Sequence, residues 1–274
     1  AVTYEAGQGD DYVSGGDGSD TYVFNIGDGQ DIIYDNGFRD TDVLDIRGYS
    51  STDATFGFIA GDTNDLVITF ANGDSITVIN TIDVTNDGTI ETITFDGDGV
   101  SFTNAEIRAL ILSQQATAGN DIIRGFGSTE DVLMGGAGDD LLIGGDLSDT
   151  YVFNAGDGND TIDDDGFRDN DVVNVVGYSS TDAQYFTVPG DADDVLLVFG
   201  NGDSILLRNS LLDENRDGIE SVNFDGDGIS LTMTDILAIL AANPQELGDN
   251  VINVTAGGDV NGTTGDDYIF GING

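Results

Sequence analysis

The stretch Gly15-Gly16-Asp17-Gly18-Ser19-Asp20-Thr21-Tyr22-Val23 fits the nonapeptide G-G-x-G-x-D-x-U-x at every fixed position, U being a large apolar or aromatic residue. The pattern is complete again from Gly135 to Ile143. Gly144-Gly145-Asp146-Leu147-Ser148-Asp149-Thr150-Tyr151-Val152 follows at once, with Leu147 where the third glycine belongs. The first six residues of such a unit make a turn and the last three a very short strand, so consecutive units stack as coils. Glycines at positions one, two and four permit positive φ and close backbone approach, which leaves carbonyl oxygens pointing into the bend. The Asp at position six adds an anionic oxygen. Carbonyls and carboxylates without nitrogen or sulfur donors suit Ca²⁺, which takes about 6–8 oxygens at roughly 2.3–2.6 Å, whereas Mg²⁺ demands a tighter octahedron. Position eight, filled by Tyr22, Leu142 and Tyr151, points the other way and stacks on its equivalent one coil along, in an apolar column.

In this register the candidate calcium ligands are the position-six aspartates Asp11, Asp20, Asp31, Asp121, Asp131, Asp140, Asp149, Asp160 and Asp267. The position-three residues Asp17, Asp28, Asp146 and Asp157 join them. So do the turns carrying Gly7, Gly9, Gly16, Gly18, Gly27, Gly29, Gly136, Gly138, Gly145, Gly156, Gly158 and Gly265. Three turns depart from the pattern: Thr129 replaces the position-four Gly ahead of Asp131, Leu147 does so ahead of Asp149, and Asn250 replaces a position-six Asp. Those sites are expected to be weaker or empty.

The charge of the chain fits the same reading. Against 52 acidic residues stand seven basic ones, all Arg, for a net charge of -45. Such self-repulsion works against a compact state unless cations are bound. With 39% hydrophobic residues in a β-like pattern the chain is nevertheless expected to fold, conditionally. Nucleic acid is excluded as a partner for want of basic groups to displace phosphate counterions. The absence of His and Cys removes zinc-protease, Ser-His and Cys-His chemistry and leaves metal rather than disulfide as the natural staple. No apolar run is long enough to cross a membrane as a helix, so no membrane insertion is expected.

A long repeat appears when the two Tyr-Val-Phe-Asn runs are aligned, since Tyr22 to Tyr151 is 151 − 22 = 129 residues. The shift also maps Gly37-Phe38-Arg39-Asp40 onto Gly166-Phe167-Arg168-Asp169, and Gly48-Tyr49-Ser50-Ser51-Thr52-Asp53 onto Gly177-Tyr178-Ser179-Ser180-Thr181-Asp182. Residues 1–115 therefore form a first unit, with turns at 6–34, a β-rich body at 35–102 and a helix at 103–115. Residues 116–245 form a second, with turns at 116–163, a body at 164–231 and a helix at 232–242, and 246–274 begin a truncated third. Within the body, Asp42–Ile46, Asp65–Phe70, Asp74–Ile79 and Thr89–Phe95 read as strands, the middle two joined by Asn72-Gly73, a hairpin signal. Thr103 and Glu106 form a capping box for the helix, whose Ile107, Leu110 and Ile111 share a face, as Ile236, Ile239 and Leu240 do in the second unit. Each helix is placed to cap the open end of a coil. Because Ala6 to Asp11 lacks its first glycine and Gly271 to Gly274 stops within a turn, the chain reads as an excerpt of a longer protein.

The nonapeptides resemble those of the RTX family of secreted bacterial proteins. Tyr-Val-Phe-Asn-x-Gly-Asp-Gly-x-Asp, Asp-Leu-Val-Ile-x-Phe and Ile-Glu-x-Ile-x-Phe-Asp-Gly are similar to the haemolysin-type calcium-binding related domain that follows such repeats. The resemblance implies an all-β fold, a parallel β-roll in tandem copies, with several Ca²⁺ ions between consecutive turns held by position-six carboxylates and turn carbonyls. It implies type I secretion, folding outside the cell and an extracellular or cell-surface location. Neighbouring RTX units of the same parent chain are the expected partners, with an extracellular glycan or surface partner also open. The chain is expected to be a non-catalytic calcium-triggered folding and spacing module. The alternative is part or accessory of a secreted polysaccharide-active enzyme, or a calcium-dependent glycan-binding adhesin domain.

Four further features have their own readings. Asp213 to Gly218 resembles half of an EF-hand loop but has Phe224 where the bidentate Glu belongs, so it reads as a simple acidic turn. Asp96 and Asp98, with Asp225 and Asp227, either bind calcium or turn the chain. Ser50 with Asp53 reads as a cap on a short helical turn, and Arg39 and Arg168 as partners in structural ion pairs.

Overall fold

The structure is a computed structural model, and it describes all residues except 38–40, 60–61, 82–89, 165, 167–168, 189–190, 212–217, 243–250, 256–267 and 273–274. The protein is mostly β. Its chain divides into two compact units, Ala1–Gln114 and Gln115–Gly274.

In the first unit the chain alternates between two sheets. One contains β1 (Thr3–Glu5), β3 (Thr21–Asn25), β5 (Asp42–Arg47) and β9 (Ile90–Phe95) in parallel, then β10 (Ser101–Thr103) antiparallel. The other contains β2 (Tyr12–Ser14), β4 (Gln30–Tyr34) and β8 (Ser75–Ile79) in parallel, then β7 (Asp62–Phe70) and β6 (Ala54–Ile59) antiparallel. The second unit repeats both. Its sheets run β12 (Val132–Met134), β14 (Thr150–Asn154), β16 (Asp171–Val176), β20 (Ile219–Phe224), β21 (Ile229–Thr232), and β11 (Ile122–Arg124), β13 (Leu141–Ile143), β15 (Asn159–Ile162), β19 (Ser204–Leu207), β18 (Asp191–Phe199), β17 (Ala183–Val188). Beyond them, β22 (Val251–Thr255) pairs in parallel with β23 (Tyr268–Ile272).

The body strands are thus not a layer apart from the nonapeptide coils. They continue the same two sheets, because the register hands the apolar column on: Tyr4 pairs with Tyr22, Tyr22 with Leu44 and Leu44 with Ile93. On the facing sheet of the second unit the column is Ile123, Leu142, Ile162 and Leu207. With the exception of half-buried Tyr4, these side chains are buried, while the alternate positions Ile32, Ile122 and Val132 are exposed, as a period of two requires. Tyr4 and Tyr22 stack with ring centroids 5.2 Å apart. Asn72-Gly73 turns the β7–β8 hairpin with Gly73 at φ +98°. Strand β6 had no signal of its own, since Gly57 interrupts its apolar run; pairing with β7 fixes it.

Two helices follow the sheets, α1 (Asn104–Gln115) and α2 (Met233–Ala242). The capping box of α1 is reciprocal: the Thr103 N–H donates to Glu106 Oε2 (2.8 Å) and the Glu106 N–H to Thr103 Oγ1 (3.3 Å). Ile107, Ile111 and Leu112 are its buried residues, and Leu110 is only half-buried. Helix α2 buries Met233, Ile236 and Leu240 and lies against β17, β20 and β21, the ends of both sheets. Truncating Ile236 or Leu240 to Ala should therefore lower the stability of the folded chain by roughly 2–5 kcal/mol each in urea unfolding, and Leu237→Ala, on the exposed side, by less than about 0.5 kcal/mol. Equal losses at all three would remove α2 from the core.

Candidate metal centre

Each coil strand from β2 onward carries its position-six aspartate just before its first residue or, in β4 and β15, at its second, so parallel pairing stacks these aspartates as well as the strands. The stacking is fixed by a repeated bond in which the backbone N–H of one aspartate donates to the carboxylate of the next. Asp11 donates to Asp31 Oδ1 (3.0 Å), Asp121 to Asp140 Oδ1 (2.8 Å) and Asp140 to Asp160 Oδ1 (3.1 Å). On the other sheets Asp20 donates to Asp42 Oδ1 (2.6 Å), Asp131 to Asp149 Oδ1 (2.8 Å) and Asp149 to Asp171 Oδ1 (2.7 Å). The ladders end where Asp42 donates to Glu91 Oε2 and Asp171 to Glu220 Oε2, both at 2.6 Å. The sequence reading missed Asp42, Asp171 and the two glutamates. Their signal was present, since Asp42-Val43-Leu44 stands to β5 as Asp20-Thr21-Tyr22 stands to β3, and Asp171 repeats it after 129 residues.

One oxygen of each ladder carboxylate is used in this way. The second oxygens of Asp140, Asp149 and Asp171 are buried without a hydrogen-bond partner, which an ionised carboxylate does not sustain unless a cation is near. The donor set is oxygen alone and fits Ca²⁺. The turns also bring backbone carbonyls together: Gly158, at φ +108°, passes so close to the turn above that a Cβ would run into the Gly138 carbonyl. Leu147 adopts φ +75° in the position of a missing glycine, a left-handed conformation that costs about 1–2 kcal/mol for an L side chain. Asp131, whose turn carries Thr129, differs from Asp140. Its Oδ1 accepts from the Thr129 hydroxyl (3.0 Å) and its Oδ2 from the Phe126 N–H (2.5 Å), so protein donors already fill both oxygens.

The other expected ligands are distributed unevenly. Asp28 and Asp157 close their own turns, accepting the N–H and side-chain amide of Asn25 and Asn154 at 2.7–3.1 Å. Asp17 and Asp146 are exposed. Asp11 and Asp121 are half-buried, and Asp121 Oδ2 accepts from both the N–H and the hydroxyl of Thr117. Gly265, Asp267, Asn250, Arg39 and Arg168 lie outside the described residues, as does 213–217 of the EF-hand-like stretch. Asp96 and Asp98 are occupied in turning the chain: Asp96 Oδ1 accepts from the Gly48 N–H, Asp98 Oδ2 from Ser51, and the second unit repeats this with Asp225 and Asp227.

Two tight carboxylate groups stand out, Asp20 with Asp35 and Asp42, and Asp149 with Asp164 and Asp171. All six are buried, and within each group one carboxylate oxygen from each residue lies within 4.8 Å of the others. Asp35 and Asp164 were not foreseen, being outside any nonapeptide. The position-eight tyrosines reach them: their rings lie in the apolar column as expected, but the Tyr22 hydroxyl donates to Asp35 Oδ2 (2.9 Å) and the Tyr151 hydroxyl to Asp164 Oδ1 (2.5 Å). Burial, then the carboxylate at the hydroxyl, pushes both phenols far above their ordinary range. Burial with like-charge neighbours pushes Asp149 and Asp160 up to about 8, Asp171 to about 9 and Asp164 to about 6, from an ordinary 3.8. Asp31 and Asp140 move the same way for the same reason.

A different duplicated node has no need of metal. Tyr49 donates its hydroxyl to Asp74 Oδ2 (2.5 Å), which also accepts the Gly27 N–H (2.6 Å) and the Asn72 side-chain amide (2.9 Å); Tyr178, Asp203, Gly156 and Asn201 repeat this. Burial opposes the anion at Asp74 and Asp203, but these donors outweigh it and hold both carboxyls below the ordinary value. Ser50 serves the cap, its N–H donating to Asp53 Oδ2 (2.9 Å).

No family model matches the chain, and neither does any curated protein. Among solved structures, the extracellular lipase LipA from Serratia marcescens is distantly similar, at 19% identity and a TM-score of 0.27 over 75% of this chain and 37% of that one. This chain therefore spans well under half the length of that structure. One expectation is corrected here: the similar structure is an enzyme, so the statement that this chain is non-catalytic is withdrawn. No described helix is long and apolar enough to cross a membrane.

Two predictions follow from this geometry. Because folded-state values near 8–9 exceed the unfolded value near 4, these aspartates stabilise the metal-free fold fully below about pH 4, and that stabilisation is lost as pH rises through 8–9. Calcium needs the anions, so its binding should release protons at neutral pH and its midpoint should shift to higher calcium as pH falls from about 8 to about 6. A midpoint that stays put across that window would remove these residues from the site. In a calcium titration followed by circular dichroism, Asp140→Ala should raise the midpoint clearly more than Asp131→Ala, whose oxygens are already taken; equal shifts would contradict the assignment.

Proposed function

We propose that this chain is a calcium-folded RTX-type segment of a secreted or cell-surface protein, two β-rolls in tandem with a third begun at its end. The observation that carries this reading is the aspartate ladder, in which each carboxylate accepts one backbone N–H and the second oxygens of Asp140, Asp149 and Asp171 are buried without a donor. Asp140, Asp149 and Asp160 would hold the ions together with carbonyls of the turns at Gly136, Gly138, Gly145 and Gly158, and Asp20 and Asp31 would do so in the first unit. Bound calcium would supply the positive charge that this polyanion lacks. The chain's own residues do the rest. Position-six aspartates set the register, glycines let the coils approach, and Tyr22 and Tyr151 orient the acidic groups behind them.

The consequence is a fold that depends on surroundings. Where calcium is scarce, net charge -45 keeps the chain extended, a state suited to passage through a secretion channel. At the millimolar calcium outside cells, binding free energy becomes folding free energy. The tandem rolls would then act as a stiff spacer between the other parts of the parent protein, with neighbouring rolls as partners. Circular dichroism tests the reading. The EDTA-treated chain should be mostly coil and convert to β-signal as Ca²⁺ rises through roughly 10⁻⁴–10⁻³ M, with much less response to Mg²⁺. A chain that is fully folded without metal and indifferent to calcium would overturn it.

A further inference from the structure

We propose that Asp149, Asp164, Asp169 and Asp171 form a cation site of their own, where the nonapeptide coils of the second unit pass into the longer strands, and that Asp20, Asp35 and Asp42 form its counterpart in the first. The proposal rests on the calcium reading above and shares Asp149 and Asp20 with it, but it adds Asp35, Asp42, Asp164, Asp169 and Asp171, which belong to no nonapeptide. Its occupant is a hard, oxygen-preferring cation of the calcium or lanthanide class, because carboxylates are the donors and the chain has no His or Cys to supply a nitrogen or sulfur ligand.

Three observations carry it. Asp149 and Asp171, with relative exposures of 1% and 0%, each turn a second oxygen inward with no hydrogen-bond donor, and both oxygens of Asp169 are likewise buried without one. The group converges on one glycine, which must lack a side chain for it to assemble: a Cβ on Gly144 would run into Asp149 Oδ2, the Tyr151 hydroxyl and Asp164 Oδ1. The arrangement also recurs 129 residues apart, down to the tyrosine that holds the middle carboxylate and the glycine N–H that steadies it, Gly37 to Asp35 Oδ1 (2.7 Å) and Gly166 to Asp164 Oδ2 (3.2 Å). Asp149 enters β14, Asp164 leaves β15 and Asp171 opens β16, so an ion here joins both sheets of its unit at the step where the turns change from short to long. Tyr22 and Tyr151 are positioning residues for it.

The test uses the whole chain. Bound calcium is counted by equilibrium dialysis, and Tb³⁺ luminescence excited through tyrosine reports ions near Tyr22 and Tyr151. Asp164→Asn should bind one ion fewer per chain and Asp35→Asn with Asp164→Asn two fewer, with sensitised Tb³⁺ emission falling in step, while calcium still induces β-signal in both. A wild-type chain that folds with calcium alongside an Asp164→Asn chain with an unchanged ion count overturns this proposal and leaves the turn sites standing. A wild-type chain that binds no calcium overturns both. Should Asp164→Asn fail to fold, Tyr151→Phe, which keeps the ring in its column, is the deciding variant. A several-fold loss of affinity at one ion supports the site, and an unchanged titration with unchanged Tb³⁺ emission removes it.

Discussion

Everything in this structure depends on burying like charges in register. A parallel coil brings each strand over its predecessor, and because the aspartate directly precedes the strand, the carboxylates must stack too. At 4.8 Å and an effective dielectric of about 20, each pair of full charges in the buried groups repels by roughly 3 kcal/mol. Three such pairs in one group amount to a sizeable part of the net stability of an ordinary domain. The N–H donated along the ladder offsets part of this repulsion, but it satisfies only one oxygen per residue. The remaining charge has to be protonated or countered, and burial with like-charge neighbours pushes the Asp149, Asp160 and Asp171 carboxyls up, toward the protonated form.

The same chain contains carboxylates treated in the opposite way. Asp74 and Asp203 are also buried, yet a phenol, a backbone N–H and an amide converge on each, so the anion is held without a cation. They tie the turn at Gly27 or Gly156 to the Asn-Gly hairpin and to the loop at Tyr49 or Tyr178. The tie is strengthened by stacking of Tyr49 on Phe70 and of Tyr178 on Phe199, at 3.8 and 4.1 Å between centroids. Each unit therefore joins coils whose stacked carboxylates lack a full set of donors to a hairpin node that is complete in itself. The distinction lies in donors, not in burial.

The sequence made the turns, their register and the 129-residue repeat legible because glycine at fixed offsets has a single backbone meaning and because Asp-x-U marks the change from turn to strand. It also located the hairpin and the α1 capping box, both set by chemistry within a few residues. What it hid was long-range. Asp35 and Asp164 acquire their place only when β4 and β15 bring them behind a tyrosine 13 residues earlier in the chain, and no local pattern records that meeting. Glu91 and Glu220 end the ladders from strands that look like ordinary half-buried β, 49 residues from the aspartates they accept from. The division into turns and body was likewise a change in texture along the chain, which the shared sheets do not follow.

Leu147 shows how far the surrounding structure can override a local preference. Its neighbours in the motif hold glycine, and a leucine at φ +75° opposes the turn by about 1–2 kcal/mol. The turn keeps its shape because it is fixed from both sides: Gly145 packs against the backbone of Gly127 in the coil before, and Asp149 bonds onward to Asp171 in the coil after. At Thr129 the outcome is the reverse. There the residue in the glycine's place is not left-handed, and its hydroxyl bonds the position-six carboxylate instead. Both departures lie on the same ladder, one coil apart. Both bond onward to an aspartate; the difference is that Asp149 belongs to the buried acidic group, whereas Asp131 stands one coil before it. A turn is thus held to the glycine geometry, at the expense of strain, where its carboxylate is shared with the group, and is free to relax into ordinary side-chain hydrogen bonding where it is not.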